Sequence, residues 1–295
     1  ACYELARAEA RIEVLASERE SRKAQVRQAE DYLEVGTGTR LQYLQAKAAL
    51  ASLKSREIAA RGEREIAALT LNRSLGLDPG VPVRIDGNIL AGEGLEDLPE
   101  RQRLLDAGKV RADLLALEKE REVLGKLRGI EKANHLPELN FNGSFGFQAI
   151  ETSNLTDLDY QNWSAGIFME WNLYDGGATR ARVRQIESRH QRSLWNTADR
   201  RGQITLDLLA EIERYRSARE AVAAAREAVV EAEESLRVST ASRQWGAATA
   251  LDVLEAERVV TEVRFQELDA VTIAMKALAG IRNLVGLMPY EPLKP

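Results

Sequence analysis

Two phrases held at one fixed distance constrain this chain more than its composition does. "YLEVGTGTRLQYLQAKAAL" (32–50) is echoed by "SRQWGAATALDVLEAERVV" (242–260), and their glycines, Gly36 and Gly246, lie 210 positions apart. "LNRSLGLDP" (71–79) is echoed by "IRNLVGLMP" (281–289), and Gly76 and Gly286 are separated by the same 210 positions. Two landmarks sharing one offset mean a duplicated unit, because chance resemblances would not keep register. Whatever fold the 295 residues adopt must therefore use one plan twice.

That plan is helical. Residues 3–35 and 40–75 are rich in Ala, Leu, Glu, Arg and Lys, all strong helix formers, and residues 178–245 and 250–285 repeat the pattern. From Gly177 to Gly246 is 69 residues, about 100 Å at ~1.5 Å per residue, far beyond an ordinary globular helix. Leu254, Thr261, Leu268 and Met275 recur every seven residues, and Ala256, Val263, Ala270 and Ala277 repeat that spacing on another face. A two-stranded coiled coil needs one apolar seam; two seams predict a neighbour on each side, as in a sheet or cylinder of helices. Between the helices, Thr39 with Gln42 and Thr249 with Asp252 have the spacing of capping boxes. Gly36 and Gly246 suit the left-handed conformation that ends a helix. Both phrases are thus predicted to be tips of helical hairpins.

Charge and composition remove several function classes. A net charge of −5 gives no reason to expect nucleic acid. The most apolar stretch, "VTIAMKALAGIRNLVGL" (271–287), is interrupted by Lys276 and Arg282 and falls short of a membrane-spanning helix. The single cysteine, Cys2, excludes an intrachain disulfide framework. It reads as a small buried side chain, with lipidation as the alternative. No phosphate-binding glycine loop, no HExxH and no Cys/His cluster is present, and His135 and His190 are isolated. The chain is predicted to be no enzyme and to need no cofactor or metal.

One region breaks the helical pattern. In "PELNFNGSFGFQ" (137–148), Leu139, Phe141, Phe145 and Phe147 share one face while Asn140, Asn142, Ser144 and Gln148 share the other. In "WSAGIFMEWNLY" (163–174), Trp163, Ala165, Ile167, Met169, Trp171 and Leu173 alternate with Ser164, Glu170 and Asn172, Phe168 being the exception. Period two means strands, and the polar loop "ETSNLTDLDYQN" (151–162) makes them a hairpin. A soluble hairpin packed on the helices would also alternate. Length favours a membrane strand, which needs about 9–11 residues. Trp163 and Trp171 are eight residues apart on the apolar face, about 27 Å along a strand, close to the ~25 Å between the aromatic girdles of an outer-membrane barrel. Phe141, Phe145, Trp163, Ile167 and Trp171 are the predicted lipid-facing residues. Two strands cannot close a barrel, and the first-repeat counterpart of this hairpin would fall before residue 1. The chain is therefore expected to be part of a longer protein with four strands, three copies giving twelve.

The tip phrases, the helix ends "LNRSLGLDP" and "IRNLVGLMP" and the strand-to-helix junction "WNLYDGGATRARV" (171–183) together resemble the TolC-like outer-membrane efflux and secretion ducts, over nearly the whole chain. The fold class this implies is mainly α with a membrane β-hairpin: long antiparallel coiled-coil hairpins forming an α-barrel, plus strands of a trimeric 12-stranded β-barrel. The resemblance implies a homotrimer in the outer membrane of a Gram-negative bacterium, reaching into the periplasm and embedded in outer-membrane lipid. Its partners would be a periplasmic adaptor (membrane fusion protein) and, through it, an inner-membrane transporter. Acidic residues after the second tip form the family's periplasmic aperture, and Asp252 and Glu255 match them. Asp252 equally suits a helix N-terminus, where the dipole favours a carboxylate. The family prototype latches its closed state with a Tyr and an Arg at this turn, where this sequence has Arg243 and Ala248, and with an acid in the first tip, where it has Gln42; Arg243 or Arg40 would substitute. Val35, Gly36, Thr37, Trp245, Gly246 and Ala247 form the adaptor-contacting tips, although an apolar Val35 or Trp245 could instead pack into its own hairpin.

The predicted organisation is a first hairpin (1–79, tip 35–39), a connector (80–103), a helix leading to the barrel (104–135), the transmembrane hairpin (136–175), a second helical hairpin (176–288, tip 245–249) and a tail (289–295). A passive export duct of a tripartite efflux pump or type I secretion system follows. Its rivals are a soluble coiled-coil scaffold and the periplasmic adaptor itself. Adaptors carry modules rich in short strands, which are absent here, and the Trp163/Trp171 strand argues against a scaffold.

Overall fold

A computed structural model describes residues 1–85, 89–90, 95–147 and 161–287. Most of the polar loop 151–162, part of the connector and the tail 289–295 lie outside the described residues. The elements in chain order are α1 (Cys2–Glu34), α2 (Arg40–Leu75), α3 (Arg101–Gly108), α4 (Ala112–Ala133), β1 (Glu138–Phe147), β2 (Gln161–Glu170), α5 (Ala178–Gln244) and α6 (Ala250–Leu284). The chain divides into two compact units, Ala1–Gly108 with Leu206–Pro295, and Lys109–Thr205. No helix among the described residues is long and apolar enough to cross a membrane.

In the first unit the helices form a layer in the order α2, α1, α6, α5. Leu15 of α1 packs with Leu53 and Ala60 of α2, and α1 runs beside α6. Leu208, Ile212 and Tyr215 of α5 meet Ala274, Leu278 and Ile281 of α6 in the largest core cluster, which α3 joins through Leu104. Burying each such aliphatic side chain is worth about 1.5–3 kcal/mol. The two seams expected on α6 face different neighbours. Thr261 donates to Glu18 of α1 at 3.0 Å, whereas Ala270 and Ala277 sit in the cluster with α5.

The sequence gives no hint of an ionic knot between α1, α2 and α6. Glu18, Arg22 and Glu257 are all buried. Arg22 pairs with Glu18 at 3.2 Å and Glu257 at 3.4 Å, Arg56 reaches Glu18 at 3.3 Å, and Ser21 and Gln25 donate to Glu257. Every charge here has a partner, as burial requires: removing one partner from such a pair typically costs about 3–5 kcal/mol.

The duplication is visible in the backbone. Gly36, Gly246, Gly76 and Gly286 all have positive φ, at 79°, 73°, 69° and 82°. After each, the next residue donates back to a carbonyl five positions earlier, for example Thr37 to Tyr32 at 3.0 Å and Ala247 to Ser242 at 2.9 Å. This satisfies carbonyls that a helix end leaves unpaired. One turn before the second glycine of each repeat, equivalent positions tie the helix end to a non-helical segment with different chemistry. Asn72 donates to the Pro79 and Val81 carbonyls, and Arg282 reaches Glu96 at 2.5 Å.

In the second unit, α4 lies along residues 178–205 of α5, joined by Arg128–Glu187 at 2.9 Å, Arg182–Glu131 at 3.0 Å and Arg200–Asp113 at 3.3 Å. Strands β1 and β2 pair antiparallel, with Phe141 opposite Ile167 and Phe145 opposite Trp163.

Three expectations need correction. The helix expected over 104–135 is two helices, because Arg111 adopts an extended backbone before α4. Its guanidinium grips Asp113 at 2.9 and 3.0 Å and holds that carboxyl at about 2, below the usual carboxylate range. The second strand ends at Glu170, so Trp171 lies just past it and its indole donates to the His135 carbonyl at 3.1 Å. That bond turns the ring toward the end of α4. Cys2 is exposed, not buried.

Candidate functional site

Both tips are built by the local signals that their sequences carry. Thr39 accepts from Gln42 N–H at 3.3 Å while the Gln42 side chain accepts from Thr39 N–H at 3.1 Å. Thr249 and Asp252 repeat the reciprocal pair at 3.2 and 2.7 Å. Each box satisfies donors that a helix start leaves free.

The tip side chains stand out in solvent. Val35 is 77% exposed and Trp245 87% exposed, so neither packs into its own hairpin. Gly36, Thr37, Gly246 and Ala247 are exposed as well. A lone apolar side chain on a surface is ordinary, but one on each of two equivalent turns presents apolar area at one kind of place.

Asp252 and Glu255 are exposed, one turn apart. The Thr249 hydroxyl, then its backbone N–H, hold the Asp252 carboxyl below its ordinary range. Arg258 does the same for Glu255 through contacts of 2.7–3.2 Å. Within one chain, then, both carboxylates are ionised at neutral pH, and half of their charge is answered by Arg258. Reading the sequence missed that arginine, although its spacing three residues after Glu255 is the signal for a helical ion pair. Arg243 is half-buried and Arg40 exposed, and among the described residues neither has a side-chain hydrogen bond or ion pair. Gln42 is engaged in its own cap. Among the described residues no bond joins one tip to the other.

The hairpin presents the other candidate surface. Phe141, Phe145, Trp163 and Ile167 lie on one face and are all 66–72% exposed. On the opposite face the Ser144 and Ser164 hydroxyls bond each other at 2.9 Å. Paired apolar and aromatic residues facing water across two strands are unstable as they stand; this face requires a cover.

Long duplicated helical hairpins with capped tips, carrying a two-faced β-hairpin, define the class of fold. The model of the family described as outer membrane efflux protein matches residues 106–287, and the chain belongs to that family. It is 25% identical over 297 residues to the alkaline protease secretion protein AprF of Pseudomonas aeruginosa, covering 97% of this chain and 60% of that protein. It is also 26% identical over 164 residues to the proteases secretion protein PrtF of Dickeya chrysanthemi, covering 53% of this chain and 35% of the relative. The chain thus spans about 60% of the first relative and about a third of the second. Its fold matches the open state of the MtrE outer membrane channel of Neisseria gonorrhoeae with a TM-score of 0.82 at 19% identity, over 99% of this chain and 66% of that one. The outer membrane protein VceC of Vibrio cholerae matches with a TM-score of 0.76 at 21% identity, over 97% and 68%.

Proposed function

We propose that the chain is part of a homotrimeric export duct in the outer membrane of a Gram-negative bacterium, conducting substrate passively and transforming nothing. The observation that carries this reading is the exposed apolar face of the β-hairpin on a chain otherwise made of solvated helices. Lipid is the cover that such a face fits: strands of 10 residues suit the thickness of a membrane barrel. Segment 136–175 would cross the membrane, and the helical hairpins 1–79 and 176–288 would reach through the periplasm. The tips around Gly36 and Gly246, with Val35 and Trp245 outermost, would meet a periplasmic adaptor and through it an inner-membrane transporter. Asp252 and Glu255 would line the aperture, and Arg243 or Arg40 would latch it. The protease-secretion names of two relatives favour a protein substrate and a type I secretion system over small-molecule efflux.

Arginine at Ile167 should cost about 2–4 kcal/mol of barrel stability, and at Ser164, across the strand, much less. The measurement is urea unfolding of the full-length protein folded into lipid. Equal tolerance at both positions, or a wild-type protein that fractionates away from outer membranes without detergent, would refute the duct.

A further inference from the structure

Where the helices of the second unit meet its strands, cations collect that the local carboxylates do not answer. The ends of α4 and α5 stand at one level there: Arg182 pairs with Glu131 at 3.0 Å, and Trp171, just past β2, donates to the His135 carbonyl, just past α4. The parts of the two helices nearest that junction, residues 126–133 and 178–192, hold eight Lys or Arg and two Glu, in a chain whose net charge is −5. Both acids are already paired, Glu131 with Arg182 and Glu187 with Arg128. Lys126, Lys132, Arg180, Arg184, Arg189 and Arg192 remain, all exposed, and none has an ion pair among the described residues. Helix energetics do not account for this excess. A helix start carries partial positive charge and favours acids, yet the first turn of α5 contains no acid, and Arg180 stands in it. The Asp175 carboxylate ahead of it is taken up by the Gly177 and Thr179 N–H groups. Arg180, Arg184 and Glu187 follow the i, i+4, i+7 spacing of one helical stripe, and Lys132 lies one turn past Arg128, the partner of Glu187. The three cations closest to the strands, Lys132, Arg180 and Arg184, thus gather on one side of the helix pair. Arg189 and Arg192 follow Arg182 at i+7 and i+10, on the other side.

We propose that Lys132, Arg180 and Arg184 form a collar that binds the phosphate headgroups of anionic phospholipid in the leaflet facing the helices. The inference rests on the duct reading, which puts segment 136–175 in lipid. Three features select this ligand. First, the cations adjoin an exposed apolar face, that of Phe141, Phe145, Trp163 and Ile167. A ligand that covers both must present apolar tails and anionic heads at neighbouring levels, and a phospholipid does so in one molecule. Second, the levels agree. Only residues 134–137 separate α4 from β1, and residues 171–177 separate β2 from α5, so the helix ends stand directly beneath the strands. The headgroup region of one leaflet is about 5–8 Å deep. Arg184 stands ~6 Å along α5 from Arg180, and long basic side chains reach toward an interface. Arg189 and Arg192 stand ~14 and ~18 Å from Arg180, beyond a Debye length of about 8 Å. Third, the chemistry suits phosphate: a guanidinium grips two of its oxygens at once, and an ammonium serves as a compact point charge. Trp171 sits at the same level with its indole N–H tied to the His135 carbonyl, and such rings favour the headgroup zone.

Lipid competition tests this in the full-length protein folded into phosphatidylcholine bilayers. The reporter is Trp171 emission, taken as the difference between the protein and its Trp171→Phe variant. Brominated phosphatidylglycerol should quench it with at least about fivefold the apparent affinity of brominated phosphatidylcholine, the preference that one basic residue near an anionic surface confers. That preference should largely vanish at ~1 M salt, a check that needs no variant. Lys132→Gln, Arg180→Gln and Arg184→Gln together should abolish it, whereas Lys132→Arg, Arg180→Lys and Arg184→Lys together, which keep the charge, should retain it. Arg189→Gln with Arg192→Gln should change it less than about twofold. Crosslinking of each variant reads trimer content and so separates lost lipid binding from lost folding. A wild type without the preference, or a neutralised triple variant that keeps it, overturns the collar and leaves the duct standing. Unchanged lipid preference with altered ion selectivity overturns it in favour of cations that line the conduit. A Trp171 quenched by neither lipid breaks the duct reading itself.

Discussion

At the first tip the chain folds back on itself: Gly38 donates to the Tyr32 carbonyl at 2.7 Å, in addition to the bond from Thr37. At the second, Ala248 holds the same place in the repeat and makes no such bond, although Ala247 keeps its link to Ser242 at 2.9 Å. A Cβ added at Gly38 would lie 2.8 Å from Tyr32 Cβ and 3.0 Å from its backbone carbon. The first turn is thus one step tighter because its third residue has no side chain. The chemistry of the helix starts differs too. A neutral Gln42 closes the first capping box, and an ionised Asp252 closes the second, followed by Glu255. One backbone plan has been kept while the residue that closes the capping box has changed from neutral to ionised.

The largest way to break that comparison is steric. Gly38→Ala should destabilise the first hairpin by about 1–3 kcal/mol, since the crowding atoms are the Tyr32 Cβ and the backbone that carries it, which cannot step aside. Ala248→Gly should change the second by under about 1 kcal/mol. Amide-exchange protection across residues 32–42 and 242–252 of the intact protein checks both; equal effects would mean that the turns are equally tight.

Charge comes next. Asp252→Asn with Glu255→Gln should reduce the cation preference of the open channel several-fold, because clustered carboxylates concentrate cations at a narrow mouth. Arg258→Gln should raise that preference by freeing Glu255, and Gln42→Ala should leave it unchanged. Single-channel recording of the full-length protein decides this. A double variant with wild-type selectivity would reduce both acids to helix-start residues.

The smallest effect is one of pH. Asp252 has its carboxyl held below the ordinary 3.8 by Thr249, so its cap contributes fully above that value and is lost as pH falls through the depressed one. Protection of amides 250–252 should therefore decline below about pH 4, while that of 40–42, capped by Gln42, should not follow. Parallel decline at both tips would show that the acid cap is not what distinguishes them.

Features that depend on near neighbours were legible in advance. Thr39, Thr249, Gly36 and Gly246 specify turns through bonds spanning three to five residues, and alternation in 139–147 fixes which strand side is apolar. Arg258 was legible and overlooked. Trp171 and the break before α4 were not. Each turns on a bond whose partner, His135 or Asp113, competes with continuation of the strand or helix, and periodicity does not rank such competitors.

By itself, then, the sequence determined the duplication, the helices and their caps, and the two faces of the hairpin, because each is written in the spacing of residues a few positions apart. The tertiary structure decided the order α2, α1, α6, α5, and with it the buried Glu18–Arg22–Glu257 knot and the two edges left open. Arg22 and Glu257 lie in different repeats, and before folding nothing distinguishes them from the many charged residues that stay in water. Only the packing of α1 against α6 removes their water, and a charge without water must find its partner.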